Sequence, residues 1–115
     1  MDSILDTVKK HIGPSAEYDY FDSELTDHIN SVFFDLTQMG VGPPEGFTID
    51  DDSAIWDDFI TEPSTFAAVK SYMCLRVKLL FDPPTNSAHL AALQSQIDKW
   101  ESRLNMEAEF KKSKS

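Results

Sequence analysis

A single cysteine, Cys74, stands among the 115 residues, so no disulfide can close within the chain. It lies in an apolar run and reads as a small buried hydrophobe, consistent with a reducing interior. No apolar stretch reaches the roughly 18 residues of a membrane-spanning helix, so no membrane partner is expected. The opening segment MDSILDTVKK lacks a basic region followed by an apolar one, so it reads as an acidic amphipathic start and not as a secretory signal. Basic residues are outnumbered two to one: ten Lys and Arg face twenty Asp and Glu, for a net charge of −10. A chain this acidic repels the phosphate backbone, whereas nucleic-acid binders carry a basic footprint.

What is present fits one domain. The 41% hydrophobic and 11% aromatic content can fill a single core and excludes general disorder. The charge is unevenly placed. Residues 1–62 hold 15 acids and two lysines, net −13, while residues 63–115 hold five acids and eight bases, net +3. That asymmetry either serves solubility or marks a surface that stays near DNA without adhering to it.

Hydrophobic spacing predicts helices throughout. Ile4, Leu5, Val8 and Ile12 form one stripe over residues 3–12, with Ser3 as cap and Gly13-Pro14 as stop. Leu25, Ile29, Val32, Phe33, Leu36 and Met39 form a second over 23–39, with Asp22 as N-cap, Asn30 among the outer polar positions and Gly40 as a left-handed terminator. In GVGPPEGFTIDDD, three glycines and two prolines forbid a helix, and Phe47 to Ile49 can be briefly extended. Asp52 or Ser53 then caps a short helix carrying Ile55, Trp56, Phe59 and Ile60. A helix over 64–81 is apolar on two faces and belongs at the centre of the bundle, and Pro83-Pro84 ends it. The last helix, 87–108, carries the heptad-like seam Leu90, Leu93, Ile97, Trp100, Leu104, which packs either within the subunit or between subunits. The expected fold is all-α, a small bundle of four long helices and one short helix, with a Gly/Pro-rich loop. Residues 1–108 form the domain, and 109–115 a basic, flexible tail.

Catalytic equipment is not recognisable, so no enzyme and no cofactor are expected. His11, His28 and His89 have no partner at metal-ligand spacing. Asp50-Asp51-Asp52 lacks the alternating ligands, central glycine and closing glutamate of a calcium loop, and three consecutive side chains do not converge on one ion. Asp57-Asp58 and Glu17/Asp19 lack an acid–base partner. No P-loop, dinucleotide fingerprint or nucleophile motif occurs.

The order of segments resembles a known family. Leu36-Thr37-Gln38-Met39 followed by Gly40-Val41-Gly42-Pro43 looks like the L-x-x-[LM]-G-V-G-P turn of tailed-phage head–tail connector (adaptor, head-completion) proteins. GFTIDDDSAIWDDF is similar to that family's loop and short helix, and VKSYMCLRVKLLFDPPTNSA to its VKxYxxLKVKLLFDPPxxSA stretch. The likeness runs from Met1 to about Met106, and Glu107–Ser115 matches nothing in it. It implies a non-enzymatic virion protein of the head–tail interface, assembled in the host bacterial cytoplasm. Twelve copies would form a ring beneath the portal, extend the DNA channel and offer a docking surface to a stopper or tail-completion protein.

Under that resemblance, expected partners are the portal protein, the stopper or tail-completion protein, the chain itself as a twelve-fold ring, and passing double-stranded DNA without specific binding. Such a ring carries roughly 120 formal negative charges, which let phosphates slide past. Asp50, Asp51, Asp52, Asp57 and Asp58 are the candidate channel lining. Ring contacts are heterologous, so two different patches must match. One candidate patch is the Gly40–Phe47 loop (Gly40, Val41, Pro43, Phe47) with Trp56. The other is the outer face of the last helix, with Trp100. Trp56 and Phe59 can alternatively cover the core. Phe110, Lys111 and Lys112 are the candidate portal contact. The rival reading is a small acidic protein-binding module, a DNA mimic or regulator, whose acids would form a phosphate-like stripe.

Overall fold

The computed structural model describes residues 3–13 and 19–114, with side chains described through residue 110. The described residues form an all-α bundle without a sheet: α1 (Ile4–Ile12), α2 (Asp22–Met39), the short α3 (Trp56–Phe59), α4 (Pro63–Phe81) and α5 (Ser87–Lys114). A single 3-10 turn, Asp19–Phe21, leads into α2.

The helix ends follow local chemistry. The Asp6 amide donates to Ser3 Oγ at 3.3 Å, which satisfies one of the orphan donors of the first turn of α1. Gly40 ends α2 at φ +88°. Its amide donates to the Thr37 carbonyl and the Val41 amide to the Leu36 carbonyl, the paired bonds of a Schellman stop. Gly13 likewise takes φ +112° after α1; Pro14, the other half of the expected stop, lies outside the described residues. Pro63 occupies the first turn of α4, where its missing N–H costs no bond. At the far end of α4, Pro83 and Pro84 follow directly and prevent continuation.

The expectations about caps are corrected at three places. Asp22 is the first residue of α2 and not its cap; Phe21 precedes it, and the Asp22 carboxylate instead meets Lys9 Nζ at 2.7 Å. Neither Asp52 nor Ser53 caps α3, which starts after Ile55. The Ile55 amide donates to Asp58 Oδ2 at 3.1 Å, while Ser53 closes a turn on Asp51. The last helix does not stop at Ala108 but continues to Lys114. Nothing in the sequence past Ala108 breaks a helix: the stretch has neither glycine nor proline, and Glu and Lys propagate well.

α4 is the centre, as its two apolar faces require: it packs against α1, α2 and α5. Val69, Tyr72, Met73 and Val77 of α4 are fully buried, facing Leu25, Ile29, Val32 and Phe33 of α2 and Ile4, Leu5 and Val8 of α1. The seam of α5 is internal, with Leu93, Ile97 and Leu104 buried mainly against α4 and Leu90 and Trp100 half-buried. Thus the heptad-like spacing serves the subunit's own core.

No strand forms in the Gly/Pro-rich segment. Residues 47–49 run without strand pairing, and the one bridge among the described residues joins Ser3 to Ile55, where the Ile4 amide donates to the Ala54 carbonyl at 3.0 Å. The segment is held by side chains instead. Asn30, expected on the outer face of α2, clamps Ile49 from both sides: its Oδ1 accepts from the Ile49 amide at 2.8 Å and its Nδ2 donates to the Ile49 carbonyl at 2.9 Å. Phe47 stacks edge-on against Phe33 and Phe59, with centroids 5.0 and 5.3 Å away. Gly42, at φ +84°, lies directly under the Phe59 ring, so a side chain there would strike it.

Candidate functional site

Three surfaces stand apart among the described residues, two charged and one apolar. The first is acidic. After Ile49 is fixed by Asn30, the chain turns outward and exposes Asp50, Asp51 and Asp52. Asp51 accepts from the Ser53 hydroxyl and amide, at 2.5 and 2.9 Å, and these bonds hold its carboxyl below the usual range. The three aspartates border a groove of about 540 Å³ between α1 and α2, which Asp19, Asp22 and Asp27 also line. Asp57 and Asp58 are exposed on α3, with Asp58 committed to the start of that helix. Among the described residues no cluster of carboxylates, histidines or cysteine is arranged to hold a metal ion.

Beside the acidic groove, Lys9 is the countercharge to two of its aspartates. It is 8% exposed and sits 2.7 Å from Asp22 and 3.4 Å from Asp19. The bond to Asp22 raises its pKa above the ordinary lysine value against the opposing effect of burial, with the charges of Asp22 and Asp19 adding to the rise.

The second surface is basic and lies on the other edge of α1, against α4. A groove of about 530 Å³ there is lined by Lys10, His11 and Lys70, with Asp6 as the one acid among its described residues and Cys74 at its floor. Burial of the His11 ring, with the nearby Lys78 charge, lowers the His11 pKa below its ordinary value. Burial pushes the Cys74 thiol up to about 11, partly offset by Lys70, so it stays a thiol. Sequence reasoning missed this groove, because Lys10 and Lys70 are 60 residues apart in the chain and only the packing of α1 on α4 joins them.

The third surface is the end of α5. Met106 and Phe110, four residues apart on one face, are 69% and 59% exposed. The side chains of Lys111 and Lys112 lie outside the described residues, although their backbone is helical. Phe110 is therefore presented from a helix in the structure, where a loose tail was expected.

The expected interface residues separate. Trp56 is 2% exposed; its indole Nε1 donates to Thr7 Oγ1 at 3.2 Å and its ring lies 5.8 Å from Phe66. Val41 is buried and Phe47 half-buried, so the inner side of the loop serves the core. Gly40 is exposed, and Pro43 keeps part of its surface. The 40–42 turn abuts Leu104 and Ala108 of α5 in the same subunit, so loop and helix are neighbours here. Trp100 is half-buried beneath the Arg103 guanidinium, 5.1 Å from the ring centre.

A polar chain crossing three helices was not foreseen. Asp35 of α2 pairs with Arg76 of α4 at 2.8 Å, Arg76 donates to the Tyr72 hydroxyl at 2.7 Å, and that hydroxyl donates to Glu101 of α5 at 2.9 Å. Burial and the Glu101 bond push Tyr72 up to about 12 despite Arg76. Nearby, the buried Thr65 hydroxyl bonds Glu62 and, closely, Glu107, which ties the start of α4 to α5. The available signal was an arginine four residues after a tyrosine on a helix with two apolar faces.

A family model described as "Phage connector protein" matches residues 4–111 of this chain. No curated protein and no solved structure matches it.

Proposed function

The chain belongs to the phage connector protein family, a structural virion family, and from that membership we propose that it is an adaptor subunit that assembles as a ring beneath the portal. The family match over 108 residues is the observation that carries the reading. Charge and shape support it. The subunit presents different surfaces on different sides, as a cyclic heterologous assembly needs. Its acids stand on exposed loop and helix positions at Asp50, Asp51, Asp52, Asp57 and Asp58, where they can border a conduit that phosphates traverse without counterion-releasing contacts.

The C-terminal part of α5 is proposed as the portal contact. Phe110, with Met106 one turn earlier, supplies the apolar anchor, and Lys111 and Lys112 follow on the same helix. Gly40, Pro43 and Trp100 keep surface on the outer side of the loop and of α5 and are proposed at subunit contacts. Val41, Phe47 and Trp56 act there by supporting the loop from within.

A nonsense mutation early in the gene, followed by negative-stain microscopy of the lysate, tests the role. DNA-filled or leaking heads without tails are expected. Intact infectious particles would sink the connector reading. Truncation after Met106 tests the portal contact separately, and undiminished portal binding would remove it.

A further inference from the structure

α1 has two edges of opposite charge. On one, Leu5 faces the groove bordered by Asp19, Asp27 and the Asp50–Asp52 corner. On the other, Lys10 and His11 face the groove shared with Lys70. The separation follows from helix geometry: at roughly 100° per residue, Leu5 and Lys9 share one side of α1 while Lys10 and Thr7 share the opposite side. The two grooves are nearly equal, about 540 and 530 Å³. Lys9, the base that could neutralise the acidic groove, is buried between Asp19 and Asp22 and leaves net negative charge exposed, with Asp19 at 96% side-chain exposure and Asp27 exposed as well. Among the described residues neither Lys10 nor Lys70 has an ion-pair partner; Lys70 instead lies 5.8 Å from the Phe66 ring centre.

We propose that copies of this chain associate head to tail through these two grooves, the acidic α1–α2 groove of one copy receiving the basic α1–α4 edge of the next, with Asp19 and Asp27 opposite Lys10 and Lys70. The occupant is a second copy because the complementary surface is present on the same subunit. Unlike faces on opposite edges of α1 suit a heterologous head-to-tail contact, which generates a ring where its rotation closes. The proposal rests on the ring reading and names the charged part of its seam. The Asp50–Asp52 corner then lies at the rim of the seam, where its outer acids remain available to a lumen.

The test uses the full chain. An equimolar mixture of nitrogen-15-labelled and unlabelled protein is treated with a carbodiimide, which joins a carboxylate to an amine only when they touch, and mixed-isotope peptides report contacts between copies. Peptides linking Lys10 or Lys70 to Asp19 or Asp27 should dominate, and they should fade as salt rises from about 50 to 500 mM, because screening lengths fall to a few ångströms. Two charge-reversed proteins follow, Lys10→Glu/Lys70→Glu and Asp19→Lys/Asp27→Lys. Each alone should lose at least nine-tenths of the inter-copy product, and their mixture should recover it, because each mutated face then meets an opposite charge. Circular dichroism of each variant identifies any that fails to fold; if one does, the single Lys70→Glu and Asp27→Lys variants replace it with the same expected pattern. Inter-copy links that avoid these residues, an absence of such links, or no recovery on mixing would each overturn the proposal. In the phage, tail-less heads from the null gene together with normal virions from both charge-reversed genes would discard the seam and leave the connector reading standing.

Discussion

Asn30→Asp isolates the device that sets the acidic corner in place. The substitution keeps the shape and the oxygen that accepts the Ile49 amide, but replaces the donor to the Ile49 carbonyl by a second oxygen. Ile49 is 2% exposed, so water does not readily replace the lost bond. A buried acceptor left unsatisfied costs about 1–3 kcal/mol, and the ionised carboxylate beside a carbonyl oxygen adds repulsion; about 2–4 kcal/mol of lost stability is expected at pH 7. The sign with pH follows from the chemistry. Only the protonated carboxyl can donate to the Ile49 carbonyl, so folding raises its pKa above the unfolded value near 4. A raised folded pKa contributes stability below the unfolded pKa that is lost as pH rises through the folded value, so the variant should regain stability on acidification towards pH 4. Urea unfolding followed at 222 nm measures it. With a slope of about 2 kcal/mol/M, the midpoint should fall by roughly 1–2 M at pH 7, and the gap to the parent should narrow at pH 4.5. A loss under about 0.5 kcal/mol, or a gap that does not change with pH, would refute the clamp.

Other measurements bear on the rest of the molecule. Trp56→Ala should cost about 3–5 kcal/mol in the isolated subunit, as for other buried aromatics, and urea unfolding that shows a loss below about 1 kcal/mol would place Trp56 at an interface instead. Tyr72 should ionise near pH 12 in a 295 nm titration, and Tyr72→Phe should remove that late step. Because folding raises this pKa, the stability that Tyr72 contributes is present below about pH 10 and declines as pH rises towards 12. Cys74 should resist a thiol reagent at pH 8 in the native protein and react within minutes in denaturant, whereas fast native reaction would contradict its burial.

The helices were legible in the sequence because their signals are local. The stripe of α1, the glycine stop of α2 and the proline stop of α4 each lie within a few residues of the element they define. The acid asymmetry was legible too, and it anticipated exposed carboxylates at Asp50 to Asp52, Asp57 and Asp58. Features depending on two distant segments were not. Asn30 has the spacing of a solvent residue on α2 and becomes a clamp only because residue 49 passes it. Trp56 reads in the sequence as either a cover for the core or an interface anchor, and only the approach of Thr7 and Phe66 buries it. Lys10 and Lys70 acquire a shared groove only when α1 docks. The seam of α5 shows the same limit, since heptad spacing specifies a partner helix without specifying whose helix it is.

The attachment of α1 also has a consequence in time. Its anchors are remote: Ile4 bonds Ala54, Thr7 bonds Trp56, and its core face rests on α4. During synthesis, α1 leaves the ribosome before α3 and α4 and can meet only α2 until they have followed. The α4–α5 hairpin needs only a short loop closure and is the natural first structure, whereas α1 must close a far longer one. A segment made before its main partners thus settles after them, and an amphipathic helix waits partly exposed in the meantime. Asp6 and Lys10 on its outer side give that waiting helix a charged face.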